Sequence, residues 1–372
     1  MPGLFDPVTL RGLTLPNRIV VSPMCQYSAV EGDATSWHVA HLATLALGGA
    51  GLLCVEATAV TPEGRITPGC LGLWSDANEA ALRRVVDVIR GTSPVRIAIQ
   101  LGHAGRKASS AVPWKGGRLI PPCAGGWLPE APSPVPHGPE EAAPREMTSD
   151  DLVRVRQAFV DAARRAVRLG FDAIELHAAH GYLLHEFLSP VANQRTDEYG
   201  GSLAGRLRYP LQVFDAVRRE VPERVPVGVR VSATDWLDGE PSWTLDQTIA
   251  LAQELRSRGV DWIDVSSGGI SPRQKIIAAP GYQVPFAEAV RRATGVPTVA
   301  VGMISDPRQA DDVVSSGCAD MVALARAMLY DPRWPWHAAE RLGRHVEGPP
   351  QYWKMLPAGK NKVFTGAVAS MR

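Results

Sequence analysis

The chain has 372 residues, with Lys+Arg 39 against Asp+Glu 38 and a formal net charge of +1 at pH 7. That balance excludes a surface built to track a polyanion, which needs clustered excess cation. With 45% hydrophobic and 21% charged residues the composition is that of a globular protein rather than a disordered one, and the length fits two domains or one (β/α)8 barrel with insertions.

The start, MPGLFDPVTL, lacks the basic-then-apolar order of a signal peptide. The stretch Leu42–Val55 carries no charge but holds three glycines and is too short to span a bilayer. The five cysteines Cys25, Cys54, Cys70, Cys123 and Cys318 form no CxxC pair. A disulfide framework or cysteine metal site is therefore not expected, and a reducing cytoplasm is the simplest location.

In chain order, residues 4–17 read as a hairpin turning at Arg11–Gly12, placed to plug a barrel bottom. Eight short apolar runs follow: Ile19–Ser22, Gly51–Val55, Arg96–Leu101, Ala173–Leu176, Pro226–Val231, Trp262–Val265, Pro297–Val301 and Met321–Leu324. None alternates strictly, as suits strands buried on both faces of a parallel sheet. Helical spacing appears between them at Ala77–Arg90, Asp150–Leu169, Thr244–Arg258, Pro285–Ala293 and Pro307–Ser316. Gly170, Gly259, Gly295 and Gly317 stand where left-handed helix caps want glycine. Leu203–Val221 is helical but contains Pro210, which predicts a kink or two pieces.

The series predicts an α/β fold, a (β/α)8 TIM barrel, as one domain over residues 1–372. A doubly wound open sheet is the alternative, weakened by the lack of GxGxxG after the first strand. Residues 108–147, with nine prolines and five glycines, form a Pro/Gly-rich insertion after the third strand and read as a lid. Residues 335–372 read as a C-terminal tail and possible subunit contact.

Barrel chemistry sits at the C-terminal ends of strands. The polar residues there are Ser22–Tyr27 after the first run, Glu56–Thr58 after the second, Gln100–His103, Glu175–Tyr182, then Arg230, Ser232 and Asp235. Ser266–Gly269, Gly302 and Arg326 follow the last three runs. Small residues and a terminal arginine there fit a phosphate site, against a bland reading of tight turns and a surface arginine. Gln100 and Arg230 interrupt apolar strands. A buried guanidinium needs a partner: either an electron-poor ring with acceptors, or an internal carboxylate, with Glu56 and Glu175 as candidates. His177 and His180 are metal ligands, donors to a developing oxyanion, or satisfied structural histidines. His38 and His41 fall in a first helix and read as structural or surface groups. Cys25, Tyr27 and Tyr182 are packing residues or site residues by position alone.

Several of these stretches match a known family. Ser22–Tyr27, VEATAVTP from Val55, QLGHAGRK from Gln100, the block from His177 to Ser202, RVSATD from Arg230, AVGMI from Ala300 and Ala325–Pro332 occur in its expected order. The chain resembles the Old Yellow Enzyme family, in its thermophilic-like, xenobiotic-reductase subclass. The resemblance implies an FMN-dependent NAD(P)H oxidoreductase, an ene-reductase acting on electron-poor alkenes such as α,β-unsaturated carbonyl or nitro compounds. It implies Ser22, Pro23, Met24, Cys25, Ala57, Gln100 and Arg230 around the flavin ring, and Gly302, Ala325 and Arg326 at the phosphate. Many relatives have Gly where this chain has Ala325.

By the same resemblance His177 and His180 bind the substrate oxygen, Tyr182 donates the proton, Tyr27 touches substrate and Cys25 tunes the flavin. A C-terminal residue from a neighbouring subunit, here Trp353 within Gln351–Lys354, also enters the site, which implies a homodimer or homotetramer. No metal, nucleic acid or membrane partner is implied. The competing functions are a metal-dependent barrel hydrolase using His177 and His180, and a non-catalytic flavin-binding protein.

Overall fold

The computed structural model describes residues 2–353 and 360–365. At its start β1 (Val8–Leu10) pairs antiparallel with β2 (Leu13–Leu15), and the turn falls on Arg11 and Gly12. Arg11 takes a left-handed φ of 52°, held by Nε donating to Asp261 Oδ1 at 2.7 Å and Nη2 to the Gly259 carbonyl at 3.1 Å. Leu10, Leu13 and Leu15 pack on Val20, Leu52, Ala98, Ala173, Val299 and Met321 inside the barrel. The hairpin is the expected plug.

The barrel strands are β3 (Ile19–Val21), β4 (Leu52–Ala59) and β5 (Arg96–Gly102), then, after the insertion pair β6 (Glu130–Ala131) and β7 (Arg145–Glu146), β8 (Ala173–Ala178), β9 (Val227–Ser232), β10 (Trp262–Ser266), β11 (Thr298–Ala300) and β12 (Met321–Leu324). The eight barrel strands close in chain order into one parallel ring. All eight expected runs are there. β4 runs past Val55 to Ala59 because its register against β5 shifts between Val55 and Thr58, a bulge that re-aims Glu56 and Ala57.

Around the ring lie α1 (Ser36–Ala46), α2 (Asp76–Thr92), α3 (Ser149–Leu169), α4 (Leu183–Leu188), α5 (Leu203–Glu220), α6 (Leu245–Ser257), α7 (Val284–Thr294), α8 (Pro307–Ser315), α9 (Arg326–Tyr330) and α10 (Trp334–Leu342). Thr148 caps α3, accepting from the Asp151 N–H. The four expected cap glycines all take φ between 71° and 84°. The expected division at Pro210 does not occur: α5 runs unbroken through it. One missing N–H costs less there than exposing the buried face of Tyr209, Pro210, Leu211, Val213 and Phe214.

The insertion is rooted by ion pairs. Arg145 meets Asp151 at 2.6 Å and also Glu130; Arg154 meets Glu130 at 2.6 Å and also Glu63. Its Trp114 reaches back to Tyr27, ring centroids 5.8 Å apart. At the other end Trp336, Val346, Val363 and Phe364 form a cluster that Tyr352 and Trp353 join.

One glycine in β9 is required by packing. A Cβ on Gly228 would lie 2.0 Å from the Trp262 indole, which crosses the strand and donates from Nε1 to Glu175 Oε2 at 3.1 Å. Gly228→Ala is expected to lower stability by about 1–3 kcal/mol through overpacking. A denaturant midpoint equal to wild type would show that the indole has room to move.

Candidate active site

The floor of the site is built by β5, β8, β9 and β10. Gln100 and Glu175 are register partners across β5 and β8, and Gln100 Nε2 donates to Glu175 Oε1 at 2.9 Å. Arg230 and Asp264 are register partners across β9 and β10, with Arg230 Nε 3.3 Å from Asp264 Oδ2. Arg230 therefore pairs with Asp264, which neither candidate carboxylate anticipated. Glu175 serves Gln100 instead. Glu56 accepts from the Gln26 N–H at 3.0 Å and lies 3.5 Å from His38, which is wholly buried and so not a surface group, the other expectation for it. Burial and the neighbouring Asp264 raise Glu175 to about 7.

Above the floor, β8 ends in the histidine pair. Ala179 N–H donates to His177 Nδ1 at 3.2 Å, so the neutral ring carries its proton on Nε2 and has a donor to give. Burial, then Arg230, lowers His177 well below the usual imidazole range. His180 takes φ 59° and its N–H donates to Ser232 Oγ at 2.9 Å. Its Nε2 lies 2.7 Å from Ser266 Oγ. Where the Ser266 hydroxyl donates to that nitrogen, Nδ1 carries the proton and the ring is a second donor. The His177 ring meets His180 at 5.2 Å and Tyr182 at 4.9 Å, both edge-on.

The turn carrying these groups depends on a close backbone approach. A Cβ on Gly269 would lie 2.4 Å from the His180 backbone, and one on Gly181 2.1 Å from the Gly269 carbonyl. Lys107 locks the same turn, Nζ donating to the carbonyls of His180 at 2.9 Å and Gly269 at 3.1 Å. It lies 5.1 Å from the Tyr182 ring centroid, and burial lowers it to about 8. Burial also raises the Tyr182 phenol well above its ordinary value, which keeps its proton on at neutral pH.

The end of β3 supplies the remaining wall. Ser22 Oγ is buried with no hydrogen-bond partner among the described residues. The free Cys25 and Cys70 thiols are hydrogen-bonding neighbours; that contact, with burial, raises Cys25, and it lowers Cys70 against the effect of burial. Cys70 lines a small hollow shared with Ala57, His177 and Tyr182. Pro23 faces the barrel interior, and Met24 packs against the core. On the other side an open cleft of about 440 Å3 runs from Ser266 through Gln283 and Gly302 to Ala325 and Arg326. Gly302 takes φ 124°.

Trp353 stands apart: its Nε1 donates to the Gly348 carbonyl at 3.0 Å within the C-terminal cluster, so it does not join its own chain's site. Lys354 lies outside the described residues. Sequence reading gave no role to Lys107, Cys70, Asp264 or Gln283. Asp264 had a signal, an acid inside the apolar run WIDVS; for the other three the spacing carried none.

The site fits FMN on these observations. It offers an unpartnered Ser22 hydroxyl, a buried Arg230 whose ion pair with Asp264 runs through Nε, and a cleft leading from His180's partner Ser266 to an exposed arginine. Residues 3–345 match the model of the NADH:flavin oxidoreductase / NADH oxidase family. The chain belongs to that family. An NADPH dehydrogenase of Geobacillus thermodenitrificans is 47% identical, over 94% of this chain and 97% of its own. Among solved structures of the fold, morphinone reductase in complex with tetrahydroNAD superposes with TM-score 0.75 at 28% identity, covering 98% of this chain and 95% of that one. A 2-naphthoyl-CoA reductase complex gives TM-score 0.81 at 24% identity over 92% of this chain. This chain spans 52% of that longer protein, and the likeness bears on fold alone. Membership of an FMN oxidoreductase family decides against the metal-dependent hydrolase, and it supports the Old Yellow Enzyme resemblance.

Proposed function

We propose that this chain is an FMN-dependent NADPH oxidoreductase that reduces the activated C=C bond of α,β-unsaturated carbonyl or nitro compounds. The observation that carries the reading is the convergence of His180 and Tyr182 on the His177 ring, at 5.2 and 4.9 Å, above a floor made by Gln100 and Arg230. When bound, FMN supplies the two-electron relay at N5, taking hydride from NADPH (or NADH) and returning it to the alkene β-carbon. Arg230 and Gln100 would hold the polar edge of its ring, with Ser22, Pro23, Met24, Cys25 and Ala57 forming the rest of the ring's surroundings. Gly302, Ala325 and Arg326, which line one cleft, would hold its phosphate.

The acceptor's oxygen sits between His177 Nε2 and His180 Nδ1. Both rings are kept neutral by burial, so they donate without bringing charge. Charge grows on that oxygen as hydride arrives, and donors already in place lower the barrier. Tyr182 gives its proton to the α-carbon. Tyr27 and Trp114 close the mouth over the substrate. Trp353 contacts substrate across a subunit boundary of a homodimer or homotetramer, and Leu329 and Tyr330, exposed on α9, offer apolar surface for assembly. The five free thiols fit a reducing cytoplasm. Among the described residues no helix is long and apolar enough to cross a membrane.

Purified protein should be yellow, bleach anaerobically with NADPH, and recolour on adding cyclohexenone. Protein that takes up FMN but is not recoloured by any enone or nitroalkene would overturn the substrate class. Tyr182→Phe should slow enone turnover by about 10²-fold or more while NADPH bleaching keeps its rate. Equal turnover would give the proton to water or to another group.

A further inference from the structure

Below the site floor lie two carboxylates that the reaction uses neither as acid nor as base. Glu175 is 4% and Asp264 2% exposed, and both line a small void with Cys54, Leu52, Ala98, Val299 and Met321. Their contacts are divided. Glu175 accepts from Gln100 Nε2 at 2.9 Å and Trp262 Nε1 at 3.1 Å. Asp264 Oδ2 lies 3.3 Å from Arg230 Nε, and Oδ1 has no hydrogen-bond partner among the described residues. Each side chain assigned to the polar edge of the flavin ring thus leans on one carboxylate of the neighbouring strand.

As core filling this arrangement is poor. Apolar residues of similar volume commonly serve stability as well as a buried ion pair does. The barrel also gives up a side chain at Gly228 so that Trp262 can reach Glu175. Burial raises both acids, repulsion from Asp264 adds to the rise at Glu175, and the Arg230 guanidinium opposes the rise at each. Asp264 fixes the direction of the Arg230 fork and offsets part of its charge. Because Gln100 gives its N–H to Glu175, its carbonyl oxygen is the atom left to face the cavity, ready to accept from a ring N–H.

We propose that Asp264 and Glu175 are positioning residues that set the reduction potential and the seating of the bound flavin through Arg230 and Gln100. The proposal rests on the reading of Arg230 and Gln100 as cofactor contacts. It makes the charge beneath that polar edge a property of four residues on four adjacent strands rather than of Arg230 alone.

The test is the flavin midpoint potential of the FMN-loaded protein, measured anaerobically against a reference dye. Asp264→Asn keeps the shape and removes the counter-charge, so reduced flavin should be favoured by on the order of tenfold at fixed dye potential. Asp264→Glu should restore most of the wild-type value. Glu175→Gln should shift the potential in the same direction by less and weaken FMN binding, because one amide group must turn. It carries the test if Asp264→Asn does not fold. Loaded Asp264→Asn and Glu175→Gln proteins with wild-type potentials would overturn the proposal and make the pair core filling. Failure of the underlying reading looks different: the wild type would not retain FMN, or Arg230→Lys would leave both FMN affinity and potential untouched.

Discussion

His177→Ala/His180→Ala protein is expected to stay folded and hold FMN while losing nearly all turnover of cyclohexenone. Each donor aimed at a developing oxyanion is worth about 2.7–4 kcal/mol of barrier. The double variant should therefore fall by at least 10²-fold in kcat/KM, a lower bound because the two donors act on one oxygen. The flavin contacts lie on other strands, and His177 Nδ1 only receives the Ala179 N–H at 3.2 Å, so folding and bleaching by NADPH should survive. Phenols, which mimic the oxygen the pair would hold, should no longer perturb the flavin spectrum. Retained phenol binding with retained turnover would remove the histidines from the mechanism.

Arg230→Met should act on stability and cofactor together. It leaves Asp264 and Glu175, both nearly inaccessible, without their cation. Breaking a buried pair from one side typically costs about 3–5 kcal/mol, and FMN retention should fall with it. The penalty has a predictable pH dependence. Glu175 is raised in the folded chain to about 7, above its unfolded value, so the folded state binds more protons between the two. Stability then declines as pH rises through that interval, and removing Arg230 steepens the decline. The variant should lie closer to wild type at pH 5 than at pH 8 in urea melts. A pH-independent gap would mean that the acids are not ionised beside Arg230.

Much of the barrel was readable because its causes are local. Runs buried on both faces lack alternation, and cap glycines mark where helices stop; both survive as β3–β5, β8–β12 and the helix ends. Of the two outcomes expected at Pro210, the division into two pieces fails because the buried apolar face outweighs a single lost hydrogen bond. Within the site, residues placed by their position at strand ends (His177, His180, Tyr182, Gln100, Arg230) come together in space. What escaped depends on neighbours distant in the chain. Asp264 becomes Arg230's partner only through the β9–β10 register. Lys107 matters because the loops after β8 and β10 meet over two glycines. Cys70 reaches Cys25 from a strap whose path no local pattern encodes.

The Pro/Gly-rich insertion behaves mechanically as a cantilever. Arg145, Arg154, Glu130, Asp151 and Glu63 clamp its base to α3, while the far tip carries Trp114 to Tyr27 through one edge-on ring contact. If the insertion acts as a lid, a bulkier acceptor would be admitted by a swing of the tip, with its anchorage undisturbed. Selection for larger molecules should accordingly enrich changes near Trp114 and leave the charged base alone.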